Sequence, residues 1–307
     1  ATQLNQSRAG NALNFVALPH TEGCGASGGE SEELFIRTMA GYLRHPFTER
    51  ALLLEHGCEK THNDAMRVDL EHAGVDVRKF GWASIQLDGG IAAVTAKALR
   101  WFNETPTTSA PPQLKEVGME QLRLGLVISP DLPESLTRAL AELVRSIVSS
   151  GGSVVIPHGL PSNSTSAFFN ELLGSSPAPP SLDYGQVFEL PGLHLMHSPT
   201  SHHVEILTGL GATGVEVILC QADSTRLQGH PMIPVLQIGI GRGEASQSAP
   251  VGDYHDLWAP DPTDVPGFVN ALLERVVKVA SRTYQPRSWV TGNTDIQMTR
   301  GFLGVSL

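Results

Sequence analysis

Cysteine is scarce in this chain: three residues in 307, Cys24, Cys58 and Cys220, odd in number and far apart. That excludes the disulfide framework of a small secreted domain and points to a reducing cytoplasm. Basic residues are also few, 21 Lys and Arg against 31 Asp and Glu, for a formal net charge of −10. So acidic a chain lacks the positive field that releases counterions from a polyanion, which argues against nucleic acid and anionic membranes as partners. No run of 18 apolar residues occurs, so no segment reads as a transmembrane helix. The opening "ATQLNQSRAGNALNF" has neither a basic nor an apolar stretch, so it is not a signal peptide. It reads as a helix entered partway, and a preceding segment of the natural polypeptide is expected. The glycine-rich stretches "GASGGESEE" (25–33) and "GIGRGE" (239–244) fall short of both the GxGxxG and the GxxxxGK[ST] fingerprints.

What is present is an ordinary globular composition, 41% hydrophobic and 17% charged, in a chain long enough for two lobes. Short apolar runs alternate with amphipathic stretches. "NFVALPH" (14–20), "ALLLEH" (51–56) and "WASIQL" (82–87) read as strands, and 30–44, 62–73 and 90–103 have helical spacing. A linker rich in Pro, Thr and Ser follows. The pattern then restarts, with strands at 122–129, 153–159, 193–199, 215–222 and 234–241 and helices at 133–149, 164–173, 201–210 and 263–282. The strands are continuously hydrophobic, as when helices cover both faces of a sheet. The expected fold is α/β, in two lobes, each with a mainly parallel sheet flanked by helices. The boundaries are 1–104 for the first lobe, 105–119 for the linker and 120–307 for the second lobe. The stretch "GSSPAPPSLDYG" (174–185) reads as a loop.

Ligands of open parallel sheets bind outside the carboxyl ends of the strands. The residues just after the apolar runs are therefore the ones to weigh, and here they are reactive. The first lobe supplies "HTEGCG" (20–25) and "HGCEKTHND" (56–64), each with a Gly-Cys pair in the same position after a strand. Cys24 and Cys58, in glycine-flanked turns, could ligate iron or zinc with His20 or His56 completing a mixed set, though their spacing is no CxxC pattern. The alternative is two small buried thiols. Glu59, Lys60 and His62 fit general acid and base work, because a carboxylate, an amine and an imidazole crowded together shift each other's proton affinities. The bland reading makes them a solvated helix start, with caps such as Thr61 or Asn63. In the second lobe His158, His197, Thr200, Ser201, His202 and Arg226 lie at strand ends. Of the adjacent His202 and His203, at most one should face a cleft. Arg226 has the planar fork suited to a carboxylate, or is a surface residue; Cys220 is expected in the core.

The segments "ALPHTEGCGASGGESEELFIRTMAGYLRHPF" and "ALLLEHGCEKTHND" resemble the central part of the altronate/galactarate dehydratase family, in their GCG and GCE motifs. The "GHPMIP" segment (229–234) and "TGNTDIQMTRGF" (291–302) are similar in layout to later parts of that family. The resemblance implies a cytoplasmic hydro-lyase that uses a divalent metal, Fe(II) or Mn(II), to remove water from a sugar acid and give a 2-keto-3-deoxy acid. Carried over by position, Cys24 and Cys58 match the GCG and GCE cysteines, Glu59 the GCE acid, and His20 the matching strand end. Together with the chemistry of the strand ends this makes His20, Cys24 and Cys58 the expected metal ligands, Glu59, Lys60 and His62 the expected catalytic groups, and His197, Thr200, Ser201, His202 and Arg226 the expected substrate-binding groups. The partners implied are a small sugar acid and a small amino-terminal domain or subunit; a homo-oligomer stays open. One departure stands out: "ISPDLPES" (128–135) lies where family members have a "CGGSD"-like segment. A noncatalytic or altered-substrate relative, binding a carboxylate ligand or completing a partner's site, is therefore the rival expectation.

Overall fold

The computed structural model describes residues 1–7, 14–20, 29–59, 61–105, 115–129, 132–159, 166–221, 228–240, 254–259 and 264–301. It divides into two compact units, Ala1–Glu116 with the closing segment from Met298, and Val117–Gln297. Both are α/β with parallel strands, as the hydrophobic pattern requires.

The first unit contains α1 (Thr2–Ser7), α2 (Glu30–Arg44), β1 (Leu52–Glu55), α3 (Asn63–His72), β2 (Gly81–Ser84) and α4 (Ile91–Glu104). Strands β1 and β2 pair in parallel, Leu52 opposite Gly81 and Glu55 opposite Ser84. Phe35, Leu43, Leu53, Met66 and Leu70 form the core between α2, α3 and β1, and Met298 of the closing segment is buried with them. Ser31 Oγ donates to the Arg300 carbonyl at 2.8 Å, a second tie between α2 and that segment. On α4, Trp101 lies so near β2 that a Cβ on Gly81 would fall 2.7 Å from its ring. Arg50 Nη1 donates to the carbonyls of Phe102 and Thr105 at 2.9 and 2.6 Å, a cation at the carboxyl end of α4. The expectation of a strand over 14–20 is corrected: these residues form no strand. Asn5 takes the place of a ladder partner there, its side chain accepting from Phe15 N at 2.7 Å and donating to Phe15 O at 2.9 Å. Pro19 has no N–H to offer.

The second unit contains β3 (Arg123–Val127), α5 (Glu134–Ser149), β4 (Ser153–His158), α6 (Ser166–Leu173), β5 (Ser181–Leu182), β6 (Gly192–His197), α7 (His203–Ala212), β7 (Val217–Gln221), β8 (Val235–Gly239), β9 (Leu257–Trp258), α8 (Val265–Ala280) and α9 (Arg287–Val290). Its seven strands run in the order β5-β6-β4-β3-β7-β8-β9. Every pair is parallel. The chain winds outward from β3 through β4 to β6 and returns at β7 beside β3, so the sheet's topological switch point lies between β3 and β7. Helix α5 shows why the periodicity was decisive: Leu136, Leu140, Leu143, Val144 and Ile147 recur on one face and are wholly buried. Two short edge strands escape a reading by pattern, β5 inside the expected loop and β9, because two residues carry no period. Among the described residues no helix is long and apolar enough to cross a membrane.

Candidate active site

The chain leaves β1 into a tight turn. Gly57 has φ +111, and a Cβ there would lie 2.9 Å from Gln86 Cβ and 3.1 Å from Ser84 Oγ, so only glycine lets this turn press against the exit of β2. Gln86 N donates to the His56 carbonyl at 3.0 Å, extending the pairing past both strands. Glu59 folds back over the turn. Its Oε1 accepts from His56 N at 2.6 Å and its Oε2 from Gly57 N at 2.7 Å. Partial burial raises the affinity of this carboxyl for its proton, but the N–H groups of His56, Gly57, Glu59 and Cys58 outweigh it and hold the pKa below the ordinary value. Glu59 is thus an ionised brace for its own turn. His56 Nδ1 lies 3.2 Å from Cys58 Sγ, and both side chains are exposed.

Helix α3 begins at this turn. Its Asn63 N–H donates to the buried Glu55 carboxylate, and Ala65 N donates to His62 Nδ1 at 3.3 Å, which makes the imidazole the helix cap. Because an amide can only donate, Nδ1 is the acceptor and the His62 proton sits on Nε2. Asn63 Nδ2 donates to the Ala83 carbonyl at 3.0 Å and ties the helix start to β2. Past β2, Asp88 accepts from Ser84 N at 2.8 Å and from Lys97 Nζ at 2.7 and 2.8 Å. Those bonds, the lysine first, hold the Asp88 carboxyl below its ordinary pKa. Arg67 lies 4.6 Å over the ring of Trp82. Together these residues enclose a cleft of ≈ 370 Å³ outside the carboxyl ends of β1 and β2, lined among others by Glu55, Gly57, Glu59, His62, Arg67, Trp82, Asp88 and Lys97.

In this unit, then, Glu59 and His62 reach one cleft, and Cys58 stands beside His56 in the turn that borders it. His20 is half-buried, edge to face with Phe35 at 5.1 Å. Cys24 and Lys60 lie outside the described residues, as does Arg226 in the second unit. Among the described residues no three His, Cys, Asp or Glu side chains gather as a metal site would require.

In the second unit His158 and His197 end neighbouring strands in register, both exposed. Thr200 Oγ1 accepts from His202 N at 3.0 Å, and Ser201 and His202 are exposed just ahead of α7. His203 is buried, with Nε2 at 3.0 Å from the Gln228 carbonyl, so of the histidine pair only His202 faces solvent. Cys220 is buried in β7, in the core as expected. At the switch point Ser129 N donates to Gln221 Oε1 at 3.2 Å, joining the exits of β3 and β7.

The sequence reading missed Glu55, Arg67, Asp88 and Lys97. Glu55 had a signal, an acid closing an apolar strand. Asp88 and Lys97 meet across nine positions, at the turn between a strand and a helix, where no short-range period brings them together.

Comparison with known proteins adds three findings. No curated protein matches the chain. A solved structure of Anabaena Alr3699/HepE in complex with UDP and glucose shares 13% identity, covering 91% of this chain and 67% of that one, at a TM-score of 0.30. Residues 1–107, which build the cleft, match the model of the D-galactarate dehydratase/Altronate hydrolase family, second domain.

Proposed function

We propose that the protein is a hydro-lyase that removes water from a sugar acid of the galactarate or altronate type, working at the cleft of the first unit. The observation that carries this reading is the coincidence of two things in one segment: the family match over residues 1–107 and a cleft of ≈ 370 Å³ set with ionisable groups at the strand ends. A volume of that order suits a small ligand.

The reaction must take the proton beside the substrate carboxylate and expel hydroxide from the next carbon; the enol left behind becomes a 2-keto-3-deoxy acid. The residues divide this work. His62, with its proton on Nε2, donates a hydrogen bond to the departing oxygen and steadies the charge that develops there. His56, whose Nδ1 lies 3.2 Å from Cys58 Sγ, is paired with that thiol as the proton acceptor of this scheme. Glu59 positions that pair by fixing the turn, and Lys60 belongs to the same scheme. A divalent metal, Fe(II) or Mn(II), would polarise the substrate oxygens. Cys58 and His56 are donors of a kind suited to iron, and among the described residues no third donor joins them to make a ligand set. His197, Thr200, Ser201, His202 and Arg226 are proposed as substrate-binding groups. A cytoplasmic location and a small amino-terminal domain or subunit belong to the same reading.

A second reading is a relative that binds the acid without dehydrating it. It is favoured by Glu59, whose two oxygens already serve backbone donors, and by the segment 128–135. Protein purified without oxygen, with and without added Fe(II) or Mn(II), incubated with a panel of aldarates and aldonates, separates the two. The hydro-lyase produces a 2-keto acid from at least one of them. Saturable binding with no keto acid from any leaves the second reading.

A further inference from the structure

We infer that Arg67 is the receptor for the carboxylate end of the ligand in the first unit's cleft, an inference that rests on reading this cleft as a sugar-acid site. Charge alone would not single it out, since the cleft also holds Glu55, Glu59, Asp88 and Lys97. The hydrogen bonds do. Glu59 is engaged by the turn, Glu55 by the start of α3, and Asp88 and Lys97 close on each other through two contacts of 2.7 and 2.8 Å. Arg67 touches Asp64 through Nη1 alone, at 3.2 Å, which leaves Nε and Nη2 with no protein partner among the described residues.

That open edge is also held still. The guanidinium lies 4.6 Å over the Trp82 ring, and Trp82 is itself pinned by its Nε1–H to the Val77 carbonyl at 3.3 Å. A planar fork stacked on a fixed indole loses little freedom when a carboxylate docks, and Nε and Nη2 form the pair of parallel donors that a carboxylate accepts from. The side chain remains 42% exposed, so the edge is reachable from solvent. A sugar acid bound there would run its hydroxylated chain past Trp82 toward His62, which lines the same cleft.

Calorimetric titration of the full chain tests this, with galactarate, galactitol and inorganic phosphate as probes and wild type, Arg67→Lys and Arg67→Gln as proteins. Wild type should bind galactarate at least tenfold more tightly than galactitol. Loss of a charge-assisted pair predicts roughly 10- to 100-fold weaker galactarate binding in Arg67→Gln, with Arg67→Lys between it and wild type and galactitol unchanged throughout. Arg67→Lys keeps the charge and guards against a folding defect, checked by its melting temperature. Equal galactarate affinity in all three proteins, or no saturable binding to wild type, overturns the inference, and phosphate binding as tight as galactarate overturns the sugar-acid class. Keto-acid production is read separately: turnover by wild type with no dependence on Arg67 sinks the inference and spares the hydro-lyase. Arg67-dependent binding with no turnover does the reverse.

Discussion

The Glu59 carboxylate accepts the backbone N–H of His56 from the far side of a turn three residues long, at 2.6 Å. A second bond from Gly57 at 2.7 Å closes the turn, so the acid that looks free in the sequence is committed to its own backbone.

Glu59→Gln keeps the size and one acceptor but turns an amide N–H toward a backbone donor. The expected result is a loss of about 1 kcal/mol in unfolding free energy at pH 7, after allowance for solvent screening at a partly exposed site. The carboxyl's pKa is lower in the folded state than in the unfolded chain, so its stabilisation is complete above the unfolded value near about 4 and fades as pH falls through the folded one. Denaturant titrations should therefore show the gap between wild type and variant narrowing on acidification. Unchanged stability at pH 7 would remove the brace role and return Glu59 to direct chemistry.

The same turn shows how far a sequence can be read. Each helix and sheet strand of the second unit that spans five or more residues had a run or a stripe to announce it, because burial on one or both faces writes a period into the chain. Residues 14–20 were misread for a related reason: an apolar run is also what a chain shows when a single side chain, here Asn5, replaces the neighbouring strand. The loop at 56–64 was legible as the border of a cleft, since composition at a strand end survives small errors in boundary. The roles within it were not. Whether Glu59 is a base or a brace depends on which N–H groups its oxygens meet, and His62 on which nitrogen caps α3; spacing encodes neither. Arg67 was hidden by looking ordinary, a cation one turn into an amphipathic helix.

Gly81→Ala probes the packing that supports β2. The added methyl would meet Trp101 at 2.7 Å and Leu52 Cδ1 at 3.0 Å. The cost should be about 1–3 kcal/mol, the range for overpacking a filled site. Trp101→Leu in the same chain makes room, so the double variant should lose less than the two single losses added together. Strict additivity in the denaturation midpoints would show that the indole is not what the methyl strikes.

Asp256 has a pH signature of the opposite sign. It is 8% exposed, and its carboxylate accepts from Gln237 N at 2.8 Å, Tyr284 Oη at 2.7 Å and Arg287 N at 3.0 Å, fastening β8 to α9 and the end of α8. Burial nevertheless wins and raises its pKa above the ordinary carboxylate value. A folded state that holds its proton longer than the unfolded chain loses stability as pH rises from about 4 through the folded pKa. Asp256→Asn lacks this titration. Its deficit against wild type should shrink across that window, whereas Asp256→Ala, which strands one buried and two part-buried donors, should cost about 2–4 kcal/mol. A deficit for the Asn variant that grows with pH would contradict the assignment.

His62 allows the structural and chemical roles of one side chain to be separated. Its Nδ1 caps α3 through Ala65 N, and its Nε2–H is the group that the proposed hydro-lyase would set against the departing oxygen. Asparagine is a strong N-cap with no imidazole, so His62→Asn should fold within about 0.5 kcal/mol of wild type, while His62→Ala, with no cap, should lose about 1 kcal/mol. Turnover should follow the other order of dependence. Both variants lack the Nε2 donor, and removing one donor to a developing oxyanion costs on the order of 100-fold in kcat. Measured together, denaturation midpoints and keto-acid rates give four numbers with a definite pattern: stability distinguishes Asn from Ala, and rate does not. If His62→Asn retains the wild-type rate, His62 is a cap alone and the donor to the leaving oxygen must be another group.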